Sequence, residues 1–176
     1  MVLLATDGPE FTLAVDPADP ALDEALEWLR RPDLLSIAAL RGHVRGAALT
    51  LALACDLRVL ADDGELSVEA AASFAGIGAL TRLVGPAKAL ELCGTGRSVS
   101  AAQAAALGLV NQVVPAGAVQ DCANDLAAAI LAQPRDVVIG AKVLIAGAGS
   151  RTDRAQCEAE RSAQASRLCD FADTVE

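Results

Sequence analysis

The sequence predicts an α/β domain, and three observations carry that expectation. Short apolar runs of strand length, at residues 36–40 and 109–114, alternate with longer stretches of helical periodicity. Turn residues punctuate them, as at Asp7-Gly8-Pro9 and Asp62-Asp63-Gly64. The chain is 53% hydrophobic but only 2% aromatic, which calls for a core of Ala, Leu and Val in which helices approach through small side chains. Its 176 residues suit one domain with a sizeable core.

Residues 1–6 read as a first strand, closed by the turn at 7–9. Asp19 and Pro20 are an N-cap and a first-turn proline, so a helix starts there, with Leu22, Leu26 and Leu29 on one face. Pro32 ends it, and Trp28 beside that face reads as a half-buried packing residue. Residues 36–40, SIAAL, read as a buried strand, followed by a glycine-punctuated turn through Gly42, His43 and Gly46 and a helix over 47–55. A strand over 57–60, a turn at 62–64 and a returning strand over 65–69 come next. Ser100 and Gln103 have the spacing of a capping box for a helix that ends at Gly108. A strand over 109–114 is closed by Pro115, and helices over about 119–133 and 137–145 are split by Pro134. Gly147 and Gly149 read as a flexible joint before a last helix over about 152–168.

The junction at residues 36–56 carries the chemistry. A glycine before a helix lets backbone approach a ligand closely, and the first helical N–H groups have no partner within the helix. With the positive end of the helix dipole behind them, they suit an oxygen that carries or develops negative charge. Gly42, the triplet Gly46-Ala47-Ala48 and the run Leu51-Ala52-Leu53-Ala54-Cys55-Asp56 resemble the signature of the enoyl-CoA hydratase/isomerase (crotonase) superfamily. Residues 10–16, EFTLAVD, resemble a second signature, with Phe11 and Asp16 matching and Ala14 standing for a glycine. Residues 78–85, 86–96 and 101–115 are similar to the family's later segments, including the Gly94-to-Arg97 turn.

The resemblance implies a crotonase-type (ClpP/crotonase) fold, reduced at its N-terminus, with a core over 1–115 and C-terminal helices over 116–176. It also implies that the thioester carbonyl of an acyl-CoA is held by two backbone N–H groups, those of Val15 and Ala47. Ala14, Gly46, Ala48, Thr50 and Ala70 then fall around the substrate. An alanine at position 14 still donates its N–H, but its methyl group closes the positive-φ geometries that glycine permits.

Proton transfer beside the thioester needs a group of tuned pKa, which in the better known hydratases is a pair of glutamates. Counting through the signature, those positions fall on Thr50 and Ala70, and a threonine hydroxyl is no general base near neutral pH. Its alternative role is a bond back to a helix carbonyl. Glu69, one place before Ala70, enters the site only if the loop after it, shorter here than the family's glycine-rich one, shifts the register, since one step turns a strand side chain to the other face. His43 reads as structural and Asp56 as a turn-stabilising acceptor. Arg45, Arg58, Arg82 and Lys88 could meet CoA phosphates or simply be exposed surface.

A formal net charge of -9 argues against nucleic acid and anionic membranes as partners, while leaving room for a CoA thioester held by a few arginines. Five scattered cysteines and a single histidine point to reduced, mostly buried thiols, no metal site and a cytoplasmic setting. No apolar segment is long enough for membrane insertion, and no leader is indicated. No cofactor is expected beyond the coenzyme A of the substrate. The missing opening strands would leave an edge or apolar face to be covered, so a homo-oligomer, trimer or hexamer, is expected. Three readings stay open: a hydratase/isomerase, a non-catalytic acyl-CoA binder, and a structural or regulatory subunit.

Overall fold

The structure, a computed structural model, describes residues 1–6, 10–11, 20–68 and 76–173. The chain forms two compact units, Met1–Ala129 and Ile130–Glu176. The first is built on two four-stranded sheets. Strands β1 (Val2–Ala5), β3 (Ser36–Leu40), β5 (Leu57–Ala61) and β8 (Gln112–Val114) make an all-parallel sheet in that order. Strands β2 (Glu10–Phe11), β4 (His43–Arg45), β6 (Glu65–Ser67) and β7 (Ser98–Ser100) make the other, in which only β7 runs antiparallel.

Through β6 the chain alternates between the two sheets strand by strand, so each pass adds one parallel strand to each. This overturns the expected hairpin at 57–69. β5 and β6 do not pair; the turn at Asp62-Asp63-Gly64 carries the chain from one sheet to the other. The turn needs its glycine, because a Cβ at Gly64 would lie 2.6 Å from Leu60 Cδ1 and 3.0 Å from the Ala61 carbonyl oxygen. The expected turn through Gly42 and Gly46 is also divided: Gly42, at φ +62°, makes the crossing, and His43–Arg45 is itself a strand.

All five residues of β3 are buried, as expected of a central parallel strand covered on both faces. Its alternation splits the core in two. Ala38 and Leu40 face a large cluster with Val44, Leu60, Leu66, Leu80 and Leu92. Ile37 and Ala39 face the other side, with Val59, Ala61 and three small residues of helix α6 (Val119–Leu131): Val119, Ala123 and Ala127. Small side chains let the helix sit close to the sheet, which meets the expectation set by the low aromatic content.

Helix α1 (Pro20–Leu29) starts at its proline and buries Leu22, Leu26 and Leu29, while Trp28, at 45% exposed, is the half-buried residue expected. Helices α3 (Ile77–Val84) and α4 (Pro86–Thr95) are separated by Gly85 at φ +78°. Helix α5 (Ala101–Ala106) carries the expected capping box, with the Ser100 hydroxyl accepting from the Gln103 N–H. The strand expected over 109–114 begins only at Gln112; Leu109 and Val110 are buried in a turn.

In the second unit, α7 (Arg135–Ala148) follows Pro134 and runs on through Gly147, which is therefore not a joint. The Arg151 guanidinium folds over that glycine, within 2.2 Å of where a Cβ would stand, and donates to the Leu144 carbonyl and to Gln156 Oε1. Helix α8 (Asp153–Asp173) is capped by the Thr152 hydroxyl, which accepts from the Ala155 N–H, and extends beyond the expected end at 168.

Candidate active site

Helix α2 (Gly46–Ala54) follows β4 without a connecting loop. The reversal is made at Gly46, whose φ of +59° lies in the left-handed region that L side chains rarely adopt. Arg45, the N-cap residue, is extended and its side chain makes no capping bond. The N–H groups of Gly46, Ala47 and Ala48 therefore sit in the first turn, where no helical carbonyl precedes them. α2 is apolar on every side and buries Ala47, Ala48, Leu49, Thr50, Ala52 and Leu53, as a helix enclosed by its neighbours should. Ala47 itself packs against Leu22 and Leu26 of α1, so the donor-bearing turn is held against that helix.

Thr50 is 5% exposed, and its hydroxyl donates to the Gly46 carbonyl at 3.3 Å, one turn back. The space beyond it is closed by Gly76, the N-cap of α3, at φ +83°. A Cβ there would meet Thr50 Oγ1 at 3.3 Å and Cγ2 at 3.4 Å, so backbone lies directly over the threonine. The sequence reading missed Gly76; the close approach is visible only once the turn is placed over position 50. Ala14, Val15, Glu69 and Ala70 lie outside the described residues, so the structure brings Gly46, Ala47, Ala48 and Thr50 together and leaves the other expected site residues aside.

The far end of α2 is held by charge. Arg58, expected among the candidates for CoA phosphates, is instead 4% exposed inside β5. Its guanidinium donates to the carbonyls of Cys55 and Leu109, both at 2.6 Å, and to Ala52 at 3.4 Å. Two of these are carbonyls of the last turn of α2 and the residue capping it, groups with no helical partner. Burial pushes the guanidinium below the usual arginine value, with Cys55 and Asp56 acting in the opposite sense. The signal was a lone basic residue inside the apolar run Leu57–Ala61: a strand buried there must satisfy that charge internally. Asp56 is the acceptor expected, receiving the Ser36 N–H at 2.8 Å and hydroxyl at 2.9 Å. Lys88 and Arg97 both pair with Glu91 on the surface, holding its carboxyl below the usual glutamate range.

His43 lies on the outer face of the smaller sheet. Its Nε2 is 2.6 Å from Ser67 Oγ, which is 2.8 Å from Ser98 Oγ, so one imidazole and two hydroxyls form a chain across β4, β6 and β7. The alternation of Glu65-Leu66-Ser67 and Ser98-Val99-Ser100 was the readable sign that both serines share a face.

Among the described cysteines only Cys55 is buried, contrary to the expectation of mostly buried thiols. Cys122 lies in an open groove of about 440 Å³ with Gln112, Asp121, Asp125 and Leu126. Its thiol donates to Gln112 Oε1 at 2.7 Å and is pushed up by burial and by Asp125, so it is not poised as a nucleophile. Among the described residues no group of three His, Cys, Asp or Glu could hold a metal, and no helix is long and apolar enough to cross a membrane.

The chain resembles known proteins over most of its length. The probable enoyl-CoA hydratase EchA17 of Mycobacterium tuberculosis is 34% identical over 164 residues, which cover 88% of this chain and 63% of that protein. The chain thus spans under two thirds of that relative. A chain from Thermobifida fusca, described as a candidate enoyl-CoA hydratase and solved in complex with CoA, superposes with a TM-score of 0.85 at 34% identity, covering 97% of this chain and 77% of that one. Another from the same organism, in complex with acetoacetyl-CoA, gives 0.76 at 37% identity and covers 86% and 64%. The pattern of the Enoyl-CoA hydratase/isomerase family matches residues 16–170, and together with the alternating two-sheet fold and the uncapped glycine-led start of α2 this establishes that the chain belongs to that family.

Proposed function

We propose that this protein binds an acyl-CoA thioester and presents its carbonyl oxygen to backbone N–H groups, those of Ala47 and Val15. The observation that carries this reading is the start of α2: a left-handed Gly46, an enclosed Ala47 and no side-chain cap. Fixed amide dipoles in a site walled by apolar groups stabilise an enolate-like oxygen without reorganising. The apolar flank of α2 offers a wall for the acyl chain. CoA enters as part of the substrate, and no resident cofactor is invoked. The CoA and acetoacetyl-CoA complexes of the Thermobifida fusca relatives support the ligand class.

In the catalytic form of this reading the protein hydrates or isomerises an enoyl-CoA, with Glu69 as the acid/base. Thr50 favours the second form, a non-catalytic binder: its hydroxyl is spent on Gly46 and backbone closes over it, so position 50 supplies no proton. Incubation with saturated and 2-enoyl-CoAs, followed by mass spectrometry, separates the two. A water adduct or a shifted double bond, lost in Glu69→Gln, supports the enzyme. Ligand retained unchanged supports the binder, and neither ligand nor product removes the thioester reading.

We further propose a cytoplasmic homo-oligomer, trimer or hexamer. α7 buries none of its residues, and Val143 and Ile145 are 42% and 74% exposed. Apolar helix faces of this kind are normally covered by a neighbour. A monodisperse monomer in sedimentation would count against it.

A further inference from the structure

We infer that His43 is a positioning residue for the Ala47 N–H, acting through Ser67 and Ser98; the inference rests on the thioester reading above. β4 has only three residues and passes straight into α2, so the aim of the first helical N–H groups follows the placement of β4. Val44 anchors the inner side of that strand in the core. On the outer side the His43 imidazole ties the strand to β6. In the parallel register His43 stands opposite Glu65 and Arg45 opposite Ser67, yet the His43 Nε2 reaches Ser67, two residues further along β6.

That diagonal matters. A bond running diagonally along the strand direction adds to the slanted ladder bonds of this parallel pair in opposing sliding of β4 past β6, which would swing the start of α2. It joins the first residue of β4 to the last residue of β6. Ser67 is 5% exposed, so its hydroxyl needs partners within the protein. Among the described residues these are His43 and Ser98, the latter its direct neighbour in the antiparallel pairing of β6 with β7. The hydroxyl is thereby held between fixed groups and gives the imidazole a fixed partner. The chain lies on the sheet face opposite Val44, Leu66 and Val99, away from the core, so it acts on α2 through strand placement.

The test compares calorimetric affinities for butyryl-CoA and for S-butyl-CoA, which lacks only the carbonyl oxygen. The wild-type protein prefers the thioester. His43→Ala lowers that preference about fivefold, the effect of one lost hydrogen bond, while the affinity for S-butyl-CoA stays within roughly twofold. His43→Gln, which keeps a polar group near the position of Nε2, restores the preference. Ser98→Ala, a change at an exposed strand position, lowers it partially and carries the test if His43→Ala fails to fold. An unchanged ratio in the folded variants, or an equal loss for both ligands, overturns the inference. A wild-type protein that binds both ligands but shows no preference instead removes the thioester reading, and the positioning role with it.

Discussion

Replacing Arg58 by methionine removes the cation that closes the end of α2 while keeping a long unbranched side chain in a site that is 4% exposed. Two bonds of 2.6 Å, to Cys55 and Leu109, and a longer one to Ala52 are lost together. A hydrogen bond from a charged donor contributes about 1.5–3 kcal/mol. The two short bonds bring the gross loss to roughly 3–6 kcal/mol on that scale. Relief from burying the guanidinium, the cause of its lowered pKa, offsets part of this. Three carbonyls left without their donor add to the cost. A net loss of about 3–4 kcal/mol follows, close to what breaking a buried charged contact costs. Urea unfolding followed by circular dichroism measures it, with Arg58→Lys, which reaches fewer carbonyls, falling between. A loss below about 1 kcal/mol, the size expected of an ordinary surface substitution, would refute the structural assignment of Arg58.

Two further predictions concern other features. Gly76→Ala forces a Cβ onto a residue at φ +83° and against Thr50, and should cost about 1–2 kcal/mol for the left-handed backbone alone. The part due to contact should shrink when Thr50 is first changed to alanine, so additive stabilities in the double-mutant cycle would contradict the close packing. Glu91, hydrogen-bonded by Lys88 and Arg97, has a folded pKa below its unfolded value. Its contribution is therefore present above the usual glutamate range and disappears as pH falls through the lowered folded value. A carboxyl-carbon NMR titration should place its midpoint below the usual range and move it up in Lys88→Gln; a midpoint at or above that range would contradict the pairing.

Much of the fold was legible where chain chemistry is local. The N-terminal proline of α1, the five apolar residues of β3 and the Ser100–Gln103 box of α5 each declare themselves within a turn or a strand. Pairing was less legible. Residues 57–69 have the pattern of a hairpin, yet local pattern does not say which sheet a strand joins, and β6 pairs with β4 and β7. The three-residue strand at His43 was hidden because it sits between two glycines that read as one turn. At the candidate site, the left-handed Gly46 and enclosed Ala47 follow from the glycine-led helix start that the sequence displays. The role of Arg58, the lid that Gly76 makes over Thr50 and the chain from His43 to Ser98 join residues 51, 26 and 55 positions apart, as the residue numbers show, and depend on placement that no local pattern encodes.

The central claim is that the Ala47 N–H faces a thioester oxygen, and the amide resonance of Ala47 in a nitrogen-15-labelled protein tests it most directly. Saturation with butyryl-CoA should shift that resonance downfield, as a donor engaged by a carbonyl does, while S-butyl-CoA leaves it near its free position. Equal shifts with both ligands, or none with the thioester bound, would contradict the account.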